Sequence, residues 1–152
     1  LEAGERGSTL VIVPRLGHAG SLAGRIRRRG LAARSLPREW AAAAGRGGVV
    51  IGARSAVWAS VADLATIIVV DEHDEGLQEE RHPTWHARDV AIERARRAGI
   101  PCWLLSPSPS LEAVRAADHH RHPSRSRERA AWPVVEVVHQ PRREQAAAAR
   151  DR

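Results

Sequence analysis

The chain has 152 residues, with 24 basic against 18 acidic side chains, a formal net charge of +6 and a single cysteine, Cys102. This length suits about one domain. No apolar run approaches the roughly 20 residues that cross a bilayer, so we expect a cytoplasmic protein without a membrane span or a secretory signal. One cysteine excludes an intrachain disulfide framework and zinc modules built on paired cysteines. Every basic residue is arginine, a bias that looks genomic and weakens the basic charge as evidence for nucleic acid. Since residue 1 is leucine, we expect an excerpt of a longer protein.

Four short apolar segments predict β-strands that are buried on both faces, because they are aliphatic or β-branched and too short for buried helices. The segments are Thr9 to Val13, Val49 to Ile51, Thr66 to Val70 and Cys102 to Leu105.

Stretches rich in alanine and arginine separate these strands and predict helices. The predicted helices are Leu16 to Ile26, Glu39 to Ala44, Trp85 to Ala98 and Ser110 to Ala117. Gly30 and Gly99 stop the first and third helices, and Ser108 followed by Pro109 suits the start of the fourth. On the third helix, Arg88 is expected on the exposed face. Strands that alternate with helices predict an α/β fold with a mainly parallel sheet.

The composition changes after Ala117. Residues 118–132 are rich in histidine, arginine and serine without apolar periodicity, which predicts a linker. A further strand candidate runs from Pro133 to His139. We therefore expect one domain at residues 1–117 and the start of a second at residues 133–152.

The segment from Thr66 to Asp74 is an apolar strand that ends in Asp71, Glu72 and His73. In nucleotide hydrolases a carboxylate at the tip of a buried strand holds Mg²⁺, while the next one orients the attacking water. Asp71 and Glu72 occupy those two places. Acidic turn residues also end many ordinary strands, so this segment alone leaves a structural role open.

Three more segments accompany the acidic strand in a fixed order. They are Ile51-Gly-Ala-Arg-Ser-Ala-Val-Trp-Ala, His82-Pro-Thr-Trp-His-Ala-Arg-Asp-Val-Ala and Leu105-Ser-Pro-Ser-Pro-Ser-Leu-Glu. Together the four segments resemble the first motor lobe of the PriA family (primosomal protein N′), DNA helicases of replication restart. The resemblance covers about residues 8–117. It implies a three-layer RecA-like helicase lobe, partial at its N-terminus, followed by the start of a second lobe.

The resemblance also implies ATP and Mg²⁺ as cofactors. It assigns the catalytic motif to Asp71, Glu72 and His73, with Asp71 as the Mg²⁺ ligand, and the motif that couples hydrolysis to lobe movement to Ser106 and Ser108. The zinc ligands of the family lie outside this chain.

Five residues match family segments that lie near DNA: Gly52, Arg54, Ser55, Trp85 and Arg88. Arginine can bind phosphate through its charged fork, and an indole can stack on a base. Each residue also has a structural alternative, since Gly52 can turn the chain, Arg54 can be a surface charge and Trp85 can pack its helix. Arg88 can pair with Asp89 beside it. The expected partners are forked or single-stranded DNA and primosome proteins.

Several departures from the family pattern argue against ATP-driven motor activity. A phosphate-binding loop needs a lysine, and this chain has none. The acidic motif is one residue short, which leaves open whether Glu72 or Asp74 supplies the second carboxylate, and Pro107 removes a backbone donor from the coupling motif. Either the phosphate loop lies upstream, or the lineage kept the scaffold and lost the motor. Truncation cannot alter residues inside the motifs, so the second explanation is favoured.

We therefore interpret the chain as a PriA-like replication-restart protein that binds branched DNA and supports primosome assembly. The family implies ATP-dependent 3′ to 5′ helicase activity, which we expect to be impaired here. Two alternatives stay open: an active helicase fragment whose phosphate loop lies upstream, and a non-enzymatic α/β module that binds protein partners.

Overall fold

The computed structural model describes residues 7–45 and 47–133. The chain divides into two compact units, residues 1–118 and 119–152. The strands are β1 (Ser8–Ile12), β2 (Ala33–Ser35), β3 (Val49–Gly52), β4 (Leu64–Val70), β5 (Gln78–Glu79), β6 (Trp85–His86) and β7 (Cys102–Leu105). The α-helices are α1 (Leu16–Arg27), α2 (Trp40–Gly45), α3 (Ala87–Ala98), α4 (Leu111–Ala116) and α5 (Arg125–Ala130), and short 3₁₀ helices span Arg54–Trp58 and Glu75–Leu77.

A five-stranded sheet in the order β2-β3-β1-β4-β7 forms the centre of the first unit. Every neighbouring pair in it is parallel. The predicted α/β class and parallel sheet are confirmed, because the four apolar segments all form strands. Strand β2 was not predicted, since its three residues include a charged side chain, Arg34.

Helices cover both faces of this sheet and give it three layers. On one face, Ala43 of α2 and Ala87, Ala91 and Ala95 of α3 join the larger core cluster, with Leu10 and Ile67 from the sheet. On the other face, Ala19 and Ala23 of α1 pack against Val11 and Ile51. Small alanine side chains allow the helices to approach the sheet closely, which explains how an alanine-rich chain forms a core.

Strand β7 corrects the prediction that all four strands are buried on both faces. It lies at the edge of the sheet, where Trp103 and Leu105 are 44% and 47% exposed. Their register partners on β4 are Ile68 and Val70, which pack with the α1 cluster. The face that α1 covers elsewhere is therefore open at β7.

The helix boundaries differ from the prediction at two functional segments. Trp85 does not start α3, because Trp85 and His86 form β6 and pair antiparallel with β5. The helix begins at Ala87, with the His86 ring nitrogen Nδ1 accepting from the Arg88 backbone N–H at 3.1 Å. The cap of α4 is Ser110 and not Ser108, since the Ser110 hydroxyl accepts from the Ala113 backbone N–H at 3.1 Å. No helix in the described parts of the chain is long and apolar enough to cross a membrane.

The second unit begins at His119. The segment predicted as a linker contains the short helix α5, which Ser124 caps by accepting a hydrogen bond from the Arg127 backbone N–H. This helix was not predicted because the segment lacks apolar periodicity. The strand predicted from Pro133 to His139 lies outside the described residues after its first position.

Cys102 lies at the start of β7, and burial raises the pKa of its thiol to about 11. The thiolate is the reactive form of cysteine. We expect iodoacetamide at pH 8 to alkylate Cys102 slowly in the folded chain and much faster in urea, as followed by mass spectrometry. Equal rates in both conditions would contradict this placement of the strand.

Candidate functional site

Glu72 is completely buried at the end of β4. Its Oε1 accepts a hydrogen bond from the Ser110 backbone N–H at 2.7 Å, and its Oε2 accepts one from the Ser110 hydroxyl at 2.7 Å. The Arg88 guanidinium approaches the same Oε2 at 3.3 Å. Both carboxylate oxygens are therefore engaged by protein groups, and we call Glu72, Ser110 and Arg88 the Glu72 network.

The ionised form of Glu72 is favoured despite its burial. Burial raises the pKa of this carboxyl, but the two hydrogen bonds from Ser110 and the interaction with Arg88 outweigh it, so the pKa lies below its usual value. A buried carboxylate stays charged when enough donors surround it. Because Glu72 is buried and both its carboxylate oxygens bind protein groups, it connects β4 to α3 and to the start of α4.

Arg88 corrects the prediction of an exposed side chain. It is only 6% exposed, and it also donates to Asp89 at 2.9 Å and to the Ser110 hydroxyl at 3.0 Å. Burial lowers the pKa of Arg88, yet its carboxylate partners raise it overall. The guanidinium is thus enclosed by protein groups, and the DNA contact that the resemblance implies for Arg88 stays a prediction.

Asp71 has a different environment from its neighbour. Its backbone adopts the left-handed region, at φ +50°, which aspartate tolerates better than most residues. It borders a pocket of about 210 Å³ beside α1, together with His18 and Arg25. Within residues 7–45 and 47–133, no side chain donates a hydrogen bond to its carboxylate. The two adjacent carboxylates therefore do not converge on one site.

His73 contacts the segment predicted to couple hydrolysis to movement. Its Nδ1 lies 2.7 Å from the hydroxyl of Ser106. The Ser106 hydroxyl in turn accepts from the Ser108 backbone N–H at 3.1 Å. The structure thus brings His73, Ser106 and Ser108 together, with Ser108 taking part only through its backbone. The coupling role that the resemblance implies for Ser106 and Ser108 stays a prediction.

The described residues do not by themselves form a metal centre. No group of three or more histidine, cysteine or acidic side chains among them is arranged to hold a metal. Mg²⁺ sites of nucleotide hydrolases combine one or two carboxylates with the phosphates of the substrate. Asp71 and Asp74 are both partly exposed after β4, and the sequence contains no lysine for the phosphates. ATP and Mg²⁺ therefore stay predictions from the resemblance.

The predicted DNA residues other than Arg88 lie around the 3₁₀ helix that follows β3. The Arg54 guanidinium donates to the Gln78 carbonyl and to Glu79 Oε2, the latter at 2.9 Å. Glu79 is the register partner of Trp85. Ser55 is exposed. Arg54, Ser55 and Trp85 therefore belong to one region, where Arg54 fastens the 3₁₀ helix to the β5-β6 hairpin.

Gly52 is required by close packing. A Cβ at this position would lie 2.4 Å from the Ala56 Cβ and 3.1 Å from the Leu36 Cβ. The structural reason for a glycine at the end of β3 is thus close packing and not the turn of the chain considered above. Its place near DNA stays a prediction.

Sequence reasoning missed two residues. Ser110 was assigned only to the helix that follows Pro109, although an N-cap serine next to a buried acid is a recognisable donor. The sequence analysis gives no role to Trp58, yet its side chain is 59% exposed and its ring meets that of Trp85 edge-on, with centroids 5.6 Å apart and planes at 77°. Aromatic residues are rare in this sequence, and the occurrence of a tryptophan a few residues after Gly52 could have marked Trp58 as a candidate contact residue.

Several curated proteins resemble this chain over part of its length. The Bacillus subtilis (strain 168) replication restart protein PriA is 41% identical over 69 residues, which are 45% of this chain and 9% of that protein. The Synechocystis PriA is 34% identical over 131 residues, 78% of this chain and 16% of the relative. The chain is PriA-like. The Haemophilus influenzae PriA adds 33% identity over 81 residues, 53% of this chain and 11% of the relative.

The similarity to PriA covers a small part of each relative. The PriA-like chain spans only 9% to 16% of the lengths of these three proteins. No family model matches the chain. The comparison therefore identifies the kind of protein, and the activity of the whole protein rests on further argument.

Proposed function

We propose that this chain is part of a cytoplasmic replication-restart protein that binds forked or single-stranded DNA and supports primosome assembly, with ATP hydrolysis impaired. The observation that carries the proposal is the Glu72 network, because it engages the carboxylate that the PriA resemblance assigns to water activation. The similarity to proteins named replication restart protein PriA supports the process.

The argument for impaired hydrolysis is geometric. A general base has to reach the water that it activates within hydrogen-bond distance. Glu72 is buried, and its carboxylate binds the Ser110 backbone N–H, the Ser110 hydroxyl and the Arg88 guanidinium. It would have to release these groups before it could act on water. Asp71 and the partly exposed Asp74 are the carboxylates next to Glu72 that could hold a hydrated cation. Helicase activity in the 3′ to 5′ direction would then need machinery beyond these residues.

The argument for DNA binding rests on the region around the 3₁₀ helix. Arg54, the exposed Ser55 and Trp85 lie near one another because Arg54 bonds to β5 and Trp85 pairs with it. Hydroxyl and guanidinium groups position DNA through its phosphates, and aromatic rings add stacking on bases. This combination suits a single strand or an opened fork better than a closed duplex.

The test uses the full-length protein with ATP and forked DNA. We expect nanomolar to micromolar binding at low salt, falling as salt rises, and no DNA-stimulated ATP turnover above the level of an Asp71→Asn variant. Asparagine is chosen since it tolerates the left-handed backbone at this position. Turnover that Asp71→Asn abolishes would overturn impaired hydrolysis. Failure to bind DNA at low salt would favour the protein-interaction module instead.

A second candidate, the active helicase with its phosphate loop upstream, is favoured by one observation. Trp103 and Leu105 are exposed on an edge strand of a parallel sheet, and such sheets are normally covered on both faces. A further strand and helix outside the described residues would cover them. Turnover in the experiment above would select this candidate.

A further inference from the structure

A groove lies beside the exposed ring of Trp58. It encloses about 730 Å³ between the 3₁₀ helix and one side of α3. Its lining residues are Trp58, Asp89, Val90, Glu93, Arg94, Arg97 and Ala98. Cavities of this size typically hold a small organic group, at about 300 to 1,000 Å³. None of the site residues predicted from the sequence lines it.

The groove is held in shape by protein contacts. The Arg94 guanidinium donates to the Val57 carbonyl at 2.6 Å and so fastens the 3₁₀ helix to α3. Burial lowers the pKa of Arg94, consistent with a guanidinium held inside the wall. On the other side, the edge-on contact with Trp85 limits rotation of the Trp58 ring. An edge-on contact covers at most one face of an indole, so a face of Trp58 stays open.

The charges around the groove compensate one another. Asp89 pairs with Arg88 at 2.9 Å. Glu93 accepts from Arg96 and Arg97 at 2.8 and 2.6 Å. The floor is therefore apolar and close to neutral, which suits an uncharged planar group rather than a phosphate. The chain around it carries a net charge of +6, so a polyanion would be attracted to the molecule as a whole.

We propose that the Trp58 groove binds one unpaired nucleobase of single-stranded DNA by stacking on the indole of Trp58. The inference rests on the DNA binding proposed above and adds a base-binding position to it. A neutral base matches the neutral apolar floor, while its phosphates stay outside, near the exposed Arg97 and the Arg54 region. Sequence-independent stacking is the physical basis of many single-strand sites.

The test compares Trp58→Ala with Trp40→Ala in the full-length protein. Trp40 is a matched control, because it is 46% exposed on α2 and does not line the groove. We expect Trp58→Ala to bind an oligothymidine strand about tenfold more weakly, whereas Trp40→Ala binds like the wild type. The slope of affinity against salt should stay unchanged, because no phosphate contact is removed.

Two further measurements separate the possible results. A strand with abasic spacers should bind wild type and Trp58→Ala equally, and Trp58→Phe should retain part of the base-dependent affinity if the alanine variant is unstable. Equal binding of oligothymidine by wild type, Trp58→Ala and Trp58→Phe would overturn the proposal that the Trp58 groove binds a base, while the proposal of DNA binding would stand. No binding by the wild type would overturn both proposals.

Discussion

Replacing Glu72 with alanine is expected to lower the free energy of unfolding by about 3 kcal/mol, because it leaves the buried Arg88 guanidinium without its most enclosed partner. Glu72 is 0% and Arg88 6% exposed. The same change removes the acceptor for the Ser110 backbone N–H and hydroxyl, and so loosens the start of α4. Urea titration of the chain, followed by circular dichroism, measures the loss.

The control for this prediction is Glu93→Ala. Glu93 also pairs with two arginines, yet it lies on the exposed side of α3 with its partners 70% and 75% exposed, and exposed ion pairs contribute little. We expect no measurable change of the urea midpoint. A Glu72→Ala variant as stable as Glu93→Ala would show that the Glu72 network does not hold the segments together.

Acid should weaken the same network. The pKa of Glu72 lies below its ordinary value of 4.5 in the folded chain. Burial raises this pKa, but the hydrogen bonds from Ser110 and Arg88 lower it by more. Its stabilisation is therefore fully present above pH 4.5 and is lost as the pH falls through the folded pKa. In Glu72→Gln this part of the acid dependence should disappear, as measured by unfolding midpoints between pH 3 and 7. An unchanged acid dependence would contradict the assignment.

Four of the five strands of the parallel sheet could be predicted from the sequence, because each of the four is a local signal, whereas β2 was not predicted. Apolar runs such as Thr66 to Val70 are too short for helices, and the glycine at position 99 ends α3 in the left-handed region at φ +64°. Both features depend on residues that are neighbours in the chain. They therefore survive in a single sequence without knowledge of the fold.

The candidate site could be predicted only in part, because its contacts join distant segments. Arg88 was expected to be exposed, yet its buried partner Glu72 lies 16 residues away. Glu72 in turn depends on Ser110, which is 38 residues away. Polar residues are usually placed on the exposed side of a helix, and only a specific buried acid reverses that preference. The catalytic role that the family resemblance implies for Glu72 stays a prediction, while its contacts show that it joins β4 to Arg88 and Ser110.

Replacing Gly52 with alanine is expected to destabilise the chain by about 2 kcal/mol through overpacking. The added Cβ would lie 2.4 Å from the Cβ of Ala56, a distance at which one of the two has to move. Ala56 is 3% exposed on the 3₁₀ helix, so its backbone would have to shift with it. Thermal or urea unfolding measures the effect.

Gly20→Ala is the matched control for this change. It adds the same methyl group inside α1, where nothing lies within 4 Å of the new atom, and alanine in a helix is more favourable than glycine by up to about 1 kcal/mol. Opposite signs for the two variants would confirm that Gly52 is needed for packing. Since the shifted 3₁₀ helix carries Arg54, a Gly52→Ala variant should also lose DNA affinity without having lost a DNA contact. A stable Gly52→Ala protein with weakened DNA binding would instead give Gly52 a direct role at the backbone of the DNA.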